Sequence, residues 1–304
     1  MLTSTSVLSW GAASLLALLA MTLVACATVK MPTRPPLPFA AMAGPVIIAH
    51  RGGSLEAPEN TLASMRHAID AGADWQELDV GLSCDDQVMV IHDDTLERTT
   101  HSQGHVEERT AAELTALGAG KPGWPDYTRA ALAERNIEPT DFQERFAGER
   151  VPTLSQVLAL PNGRFMIEMK RTARVERLAE RVIDVVYESG AADRVALASF
   201  DENLLDEAYR RDASLPLVGL AGEEEAIEKM LQVPISVLAV RTTLAASALK
   251  AAPPTVAVWV WTVYNLADAA ALSDLGVHGL ITDIPKTLVG NMRAEPDIYV
   301  RPSE

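Results

Sequence analysis

From Val46 onward the chain alternates short apolar runs with amphipathic stretches. The runs are Val46–Ala49, Trp75–Val80, Val88–Ile91, Phe165–Met169, Val195–Ser199, Leu217–Leu220, Val237–Val240, Val256–Trp261 and Gly279–Ile281. Short apolar runs bounded by turn residues read as buried strands. Helical periodicity fills most of the gaps, at Thr61–Ala71, Leu154–Leu160, Arg174–Ser189, Glu202–Arg211, Glu223–Leu231, Leu244–Ala251, Leu266–Leu275 and a short Pro285–Val289. Such repetition predicts an α/β fold with a parallel sheet under covering helices. About eight units in about 250 residues is the size of a (β/α)8 TIM-type barrel. A doubly wound open sheet is the alternative, but the chain has no glycine-rich dinucleotide loop. One region breaks the rhythm. Thr99–Arg150 carries Gly, Pro, Trp, Tyr and Phe, with short helical pieces at Thr110–Leu117 and Asp141–Arg145. It is too long for a plain loop and too apolar for disorder, so it predicts an inserted subdomain, about residues 99–150, at the C-terminal mouth of the barrel. Glu223, Glu224 and Glu225 read as a solvated helix start that suits the dipole.

The N-terminus lies outside this pattern. Leu15–Ala25 is an apolar core of signal-peptide length. It ends at Leu23-Val24-Ala25-Cys26, which resembles the bacterial lipobox, where the cysteine is lipidated and becomes the mature N-terminus. Residues 1–10 lack the usual Lys or Arg. An ordinary secretory peptide is the alternative. A transmembrane anchor is disfavoured, because the apolar core falls short of about 20 residues. Residues 26–44 form a proline-rich tether, 45–295 the barrel and 296–304 a tail. A lipid on Cys26 implies membrane attachment in the bacterial periplasm, and Ala27 rather than Asp after it favours the outer membrane. The formal charge of −15 removes any general attraction to nucleic acid or anionic lipid, so an anionic substrate needs a local cation. No protein partner is expected. With Cys26 acylated, Cys84 has no disulfide partner, and it reads as structural.

Candidate chemistry gathers at the strand ends. In Trp75-Gln76-Glu77-Leu78-Asp79-Val80, Glu77 and Asp79 share a face, as do Glu168 and Lys170 in Met166-Ile167-Glu168-Met169-Lys170. Converging carboxylates suit one hard divalent cation. The competing reading is that each acid pairs with a lysine or caps a helix. His50 closes the first strand, followed by Arg51, Gly52 and Gly53, and His92 closes the Val88 strand. Two strand-end histidines beside an arginine and a cation site form a general acid and base pair. His67, His101, His105 and His278 read as structural, without zinc-ligand spacing. Together these groups suit phosphate-ester cleavage.

At this point the chain resembles the glycerophosphodiester phosphodiesterases. The matching pieces are HRGG at His50, PENT at Pro58, ELDV at Glu77, HDDTLERTT at His92, VPTL at Val151, IEMK at Ile167, VWTV at Val260 and GLITD at Gly279. The resemblance implies a TIM-type barrel with its insertion between the HD and IEMK strands, and a divalent metal, calcium or magnesium. It implies Glu77, Asp79 and Glu168 as metal ligands, His50 and His92 as the acid–base pair, and Arg51 and Lys170 as phosphate-binding groups. Glu59 and Asn60 either order the first loop, touch the metal's waters or start a helix. Trp261 takes the place of an aromatic in the pocket, with the core as its alternative. The last strand departs from the family at His278-Gly279, where an acid is common. The implied reaction is hydrolysis of a small-molecule glycerophosphodiester to glycerol 3-phosphate and an alcohol. Two other readings stay open: lyase or phospholipase D-like action on a lysophospholipid or sphingolipid, and a non-enzymatic surface lipoprotein.

Overall fold

The computed structural model describes residues 44–293, apart from 122, 124–128, 130–132 and 134–143. The expected signal peptide, Cys26, nearly all of the tether and the tail lie outside the described residues. Eight parallel strands close into a barrel: β1 (Val46–Ala49), β2 (Trp75–Leu82), β4 (Phe165–Met169), β5 (Val195–Ser199), β6 (Leu217–Ala221), β7 (Val237–Arg241), β8 (Ala257–Val263) and β9 (Gly279–Thr282). Closure is made by β1, which pairs in parallel with both β2 and β9. Among the described residues one further strand, β3 (Val88–Val90), runs antiparallel to the end of β2.

Period-two alternation sorts the side chains. Val46, Ile48, Trp75, Met166, Val218, Trp259 and Ile281 fill the barrel interior, while Ile47, Leu78, Val80, Ile167 and Leu197 face the helices. Trp75 and Trp259, with ring centroids 6.4 Å apart, plug the N-terminal end. Glu77 and Asp79 continue the inward face of Trp75 upward, and Glu168 that of Met166. The interior therefore changes from apolar to charged toward its C-terminal mouth.

The helices α1 (Leu62–Asp70), α4 (Leu154–Leu158), α5 (Val175–Glu188), α6 (Glu202–Arg211), α7 (Glu224–Met230), α8 (Ala245–Ala251), α9 (Leu266–Leu275) and α10 (Pro285–Met292) lie between or after the strands. Past β3, Leu96 before α2 (Glu97–Thr100) and Leu114 of α3 (Ala111–Thr115) join Met89, Ile91, Val106 and Val151 in a small apolar core. The expected helical piece at Asp141–Arg145 lies largely outside the described residues. Cys84 departs from its structural reading: the β2–β3 reversal leaves it exposed.

The first loop of the barrel and its last helix are clamped by one carboxylate. Glu56 accepts from Lys286 N (2.9 Å), Thr287 N (3.1 Å) and Thr287 Oγ1 (2.8 Å) at the start of α10, and bonds His67 Nε2 at 2.9 Å. An anion capping a helix N-terminus satisfies donors that have no intrahelical partner. Burial works against its ionisation, but His67 and the α10 donors hold its pKa below the ordinary 4.5. Glu56→Ala is expected to cost about 1–3 kcal/mol in urea unfolding at neutral pH. With a depressed folded pKa, that stability is present above the unfolded value and is lost as pH falls through the folded one. The gap between the two proteins should therefore shrink below about pH 4.5.

Candidate active site

The end of β1 turns sharply into the site. His50–Gly52 make one 3₁₀ turn in which Arg51 has φ 53° and Gly52 φ 82°, and Gly53 follows at 97°. A Cβ on Gly52 would stand 2.5 Å from Ser64 Oγ, and one on Gly53 2.6 Å from Pro285 Cγ. Only glycine satisfies both the backbone and the close approach of α1 and α10. The turn aims Arg51 N at Glu77 Oε2 (2.7 Å) and its guanidinium at Glu59 (3.0 Å) and Asp79 (3.4 Å).

Asp79 and Glu168 are direct register partners across β2 and β4, with Glu77 one inward position below. The three acids are buried and bring one oxygen each within 4.8 Å of one another. Lys170 Nζ lies 2.6 Å from Glu168 and 3.4 Å from Asp79. Asn60 donates to Asp79 Oδ2 at 2.8 Å and accepts from Asp79 N at 3.2 Å. Asn60 thus orders the first loop against β2, while Thr61 caps α1.

The carboxyls differ in charge state. Burial raises all three. For Asp79, Lys170, His92, Arg51 and Asn60 outweigh it, so its pKa falls far below the ordinary range. For Glu77, burial is reinforced by the Asp79 charge and its pKa rises. Glu168 is likewise raised by burial and Asp79, against Lys170. Glu77 Oε1 is buried without a hydrogen-bond partner. That orphaned oxygen, the pairing of only part of the acid charge and the all-oxygen donor set fit a hard divalent cation.

The histidines arrive differently from the sequence expectation. His50 follows a barrel strand, whereas β3 is no barrel strand. β2 overshoots the barrel to Leu82, and β3 descends beside it until Ile91 N bonds Asp79 O at 3.0 Å. His92 therefore enters at the level of Asp79 from the opposite direction. Each ring is anchored at Nδ1 by a carboxylate, His50 by Asp283 (2.7 Å) and His92 by Asp93 (2.6 Å). Burial lowers the pKa of His50, but the facing Asp283 raises it further, and the net shift is upward.

A cavity of about 370 Å³ is lined by His50, Arg51, Glu77, His92, Glu168, Lys170 and Trp261, with Phe200, Leu220, Arg241 and Tyr264 among its other walls. Asp79, Glu59 and Asn60 are not in that lining; Asp79 touches Arg51 and Lys170 from behind. Trp261 is a wall, meeting the Phe200 ring edge-on at 5.6 Å, while Trp259 is the core residue. Asp283, Asp93 and Arg98 were not singled out from the sequence. Asp283 lies 233 positions from His50, and only barrel closure joins them.

Residues 50–287 match the glycerophosphoryl diester phosphodiesterase family. The chain belongs to that family. A glycerophosphodiester phosphodiesterase of Caldanaerobacter subterraneus subsp. tengcongensis is 30% identical over 257 residues, 82% of this chain and 98% of the relative. A human lysophospholipase D is 28% identical over 172 residues, 56% of this chain and 50% of its own length. A phosphodiesterase of Oleispira antarctica, solved with the product sn-glycerol-3-phosphate, shares the fold with a TM-score of 0.70 at 24% identity, over 82% of this chain and 97% of that one. The barrel and the enzyme class, a phosphoric diester hydrolase, agree with the resemblance carried by HRGG, ELDV, HDD and IEMK.

Proposed function

We propose that this family member hydrolyses glycerophosphodiesters to glycerol 3-phosphate and an alcohol. Glu77, Asp79 and Glu168 would hold one divalent cation, calcium or magnesium. The observation that carries the reading is one cavity lined by Glu77 and Glu168, with Asp79 of the same carboxylate cluster directly behind, together with two fixed cations and two carboxylate-anchored histidines. A bound divalent ion supplies charge stabilisation for a phosphoryl oxygen. Arg51 and Lys170 hold the remaining anionic oxygens. His50, made more basic by Asp283, takes a proton from the attacking hydroxyl: attack by water gives glycerol 3-phosphate directly, and attack by the substrate's own glycerol hydroxyl gives a cyclic phosphate that water opens in a second step. His92 gives a proton to the leaving alcohol. Trp261 and Phe200 also wall the cavity. The test is glycerol 3-phosphate release from glycerophosphocholine before EDTA, after it, and with calcium or magnesium restored. Release that EDTA abolishes and either metal restores is expected; no release by folded protein with any metal would overturn the reading.

The human relative named a lysophospholipase D, with the apolar wall of Phe200, Leu220 and Trp261, supports a second substrate class. Turnover of lysophosphatidylcholine exceeding that of glycerophosphocholine would decide for it. For location, we infer that a lipid on Cys26 tethers the barrel to the periplasmic face of the outer membrane. The lipobox-like Leu23–Cys26 supports this, and loss of fatty-acid labelling in Cys26→Ala tests it.

A further inference from the structure

Five ionisable side chains run in one line from the histidine assigned as acid to the phosphate-binding arginine. His92 Nδ1 meets Asp93 Oδ1 at 2.6 Å. Arg98 grips both oxygens of Asp93, with Nε 2.7 Å from Oδ2 and Nη2 2.9 Å from Oδ1. The same guanidinium takes both oxygens of Glu59, with Nη1 at 2.5 Å and Nη2 at 2.9 Å. Glu59 Oε1 also accepts from Arg51 Nη1 at 3.0 Å. Glu59 is 5% exposed, and neither it nor Arg98 lines the 370 Å³ cavity.

We propose that Glu59 and Arg98 are positioning residues that lock His92 and Arg51 into one unit, so that the proton donor is held against the phosphate while the leaving alcohol departs. A planar guanidinium bonded on two sides fixes the planes of both carboxylates. Asp93 then has one orientation, His92 keeps its Nδ1 bond, and Nε2 is left for the cavity. Without Arg98, the Asp93 side chain can rotate away, and His92 loses its fixed aim. Lysine keeps the charge but cannot make the fork. Glu59 sits at the branch, so its loss acts in two directions, toward Asp93 through Arg98 and directly on Arg51. The two glutamate bonds give PENT and HDDTLERTT, two separated sequence motifs, one shared task. The inference rests on the proposed assignment of His92 as acid.

The test uses the full-length enzyme with two substrates, glycerophosphocholine and an aryl glycerophosphodiester whose leaving group departs as a phenolate. Arg98→Lys should lower kcat for glycerophosphocholine by about tenfold to 100-fold, the scale of a misplaced catalytic group. KM and aryl-ester turnover should stay near wild type. Glu59→Gln should show the same leaving-group-dependent loss and a raised KM for both substrates, because Arg51 loses its anchor. Asp93→Asn combined with Arg98→Lys should be no worse than Asp93→Asn alone, as expected for groups acting as a unit. Equal losses on both substrates, unchanged kinetics in Arg98→Lys, or additive losses in the double variant would overturn the proposal. If Arg98→Lys does not fold, Asp93→Asn and Glu59→Gln carry the same comparison. Failure of the underlying assignment has a different mark: the aryl ester would then not rescue His92→Ala itself.

Discussion

Alanine at His92 should lower kcat for glycerophosphocholine by about 10²–10⁴-fold, the contribution of a positioned acid or base. An aryl ester should be hydrolysed nearly as fast as by wild type. The reason is local. His92 is the histidine brought in by the descending β3, with Nδ1 engaged by Asp93 and the ring on the cavity wall. Its removal leaves the carboxylate cluster, Arg51 and Lys170 in place, so binding and charge stabilisation survive and only the proton for the leaving oxygen is lost. A phenolate needs no such proton. His50→Ala should be impaired with both substrates, since it removes the acceptor of the attacking hydroxyl's proton whatever leaves. If the aryl ester instead restores His50→Ala and not His92→Ala, the two roles are exchanged. If it restores neither, proton transfer by this pair is not how the leaving group departs.

The site was legible where chemistry follows from strand period. Glu-x-Asp on β2 and Glu-x-Lys on β4 must project inward together, and parallel register then sets Asp79 beside Glu168. The glycines of HRGG suggest close approach of the chain to a ligand, but the structure packs them against Ser64 and Pro285, neighbours that the sequence does not name. The barrel itself was legible because the strands are short, largely apolar runs and most of the gaps between them have a helical period. Val88–Ile91 shows where this ends. As a short apolar run it looks like any other strand, and nothing in its pattern reveals that it runs backward and brings His92 down beside Asp79. Asp283 and the Arg98–Glu59 bridge escaped for another reason: their partners are distant in sequence, and neither periodicity nor spacing encodes contacts made by closure and by the insertion. Cys84 was misjudged because the β2–β3 turn, unlike the strands, carries no burial pattern.

Glutamine at Glu77 should separate activity from stability. Hydrolysis should fall by at least about 10³-fold, in line with loss of a metal ion's several kcal/mol of transition-state stabilisation. The metal-free protein, in contrast, should become more stable. Burial and the nearby Asp79 raise the pKa of Glu77 above its ordinary 4.5, so the folded state resists its ionisation. A carboxyl with a raised folded pKa contributes stability that is full below the unfolded value and lost as pH rises through the folded value. Glutamine avoids that loss, keeps an acceptor for Arg51 N, and places no charge beside Asp79 and Glu168. The gain in Tm without metal should therefore grow as pH rises above about 4.5. Calcium or magnesium should reverse the order. The wild-type protein gains RT ln(1 + [L]/Kd), about 2.7 kcal/mol at 100 times Kd, while Glu77→Gln gains much less. Thermal unfolding with EDTA and with each metal, beside glycerol 3-phosphate release, reads both effects on one sample. A variant that loses activity yet keeps the full metal-induced rise in Tm would remove Glu77 from the cation site. One that is less stable without metal would show that its carboxylate serves the fold through Arg51 rather than opposing it. Only inactivity, higher metal-free stability and a weakened metal response together match three carboxylates buried for a cation.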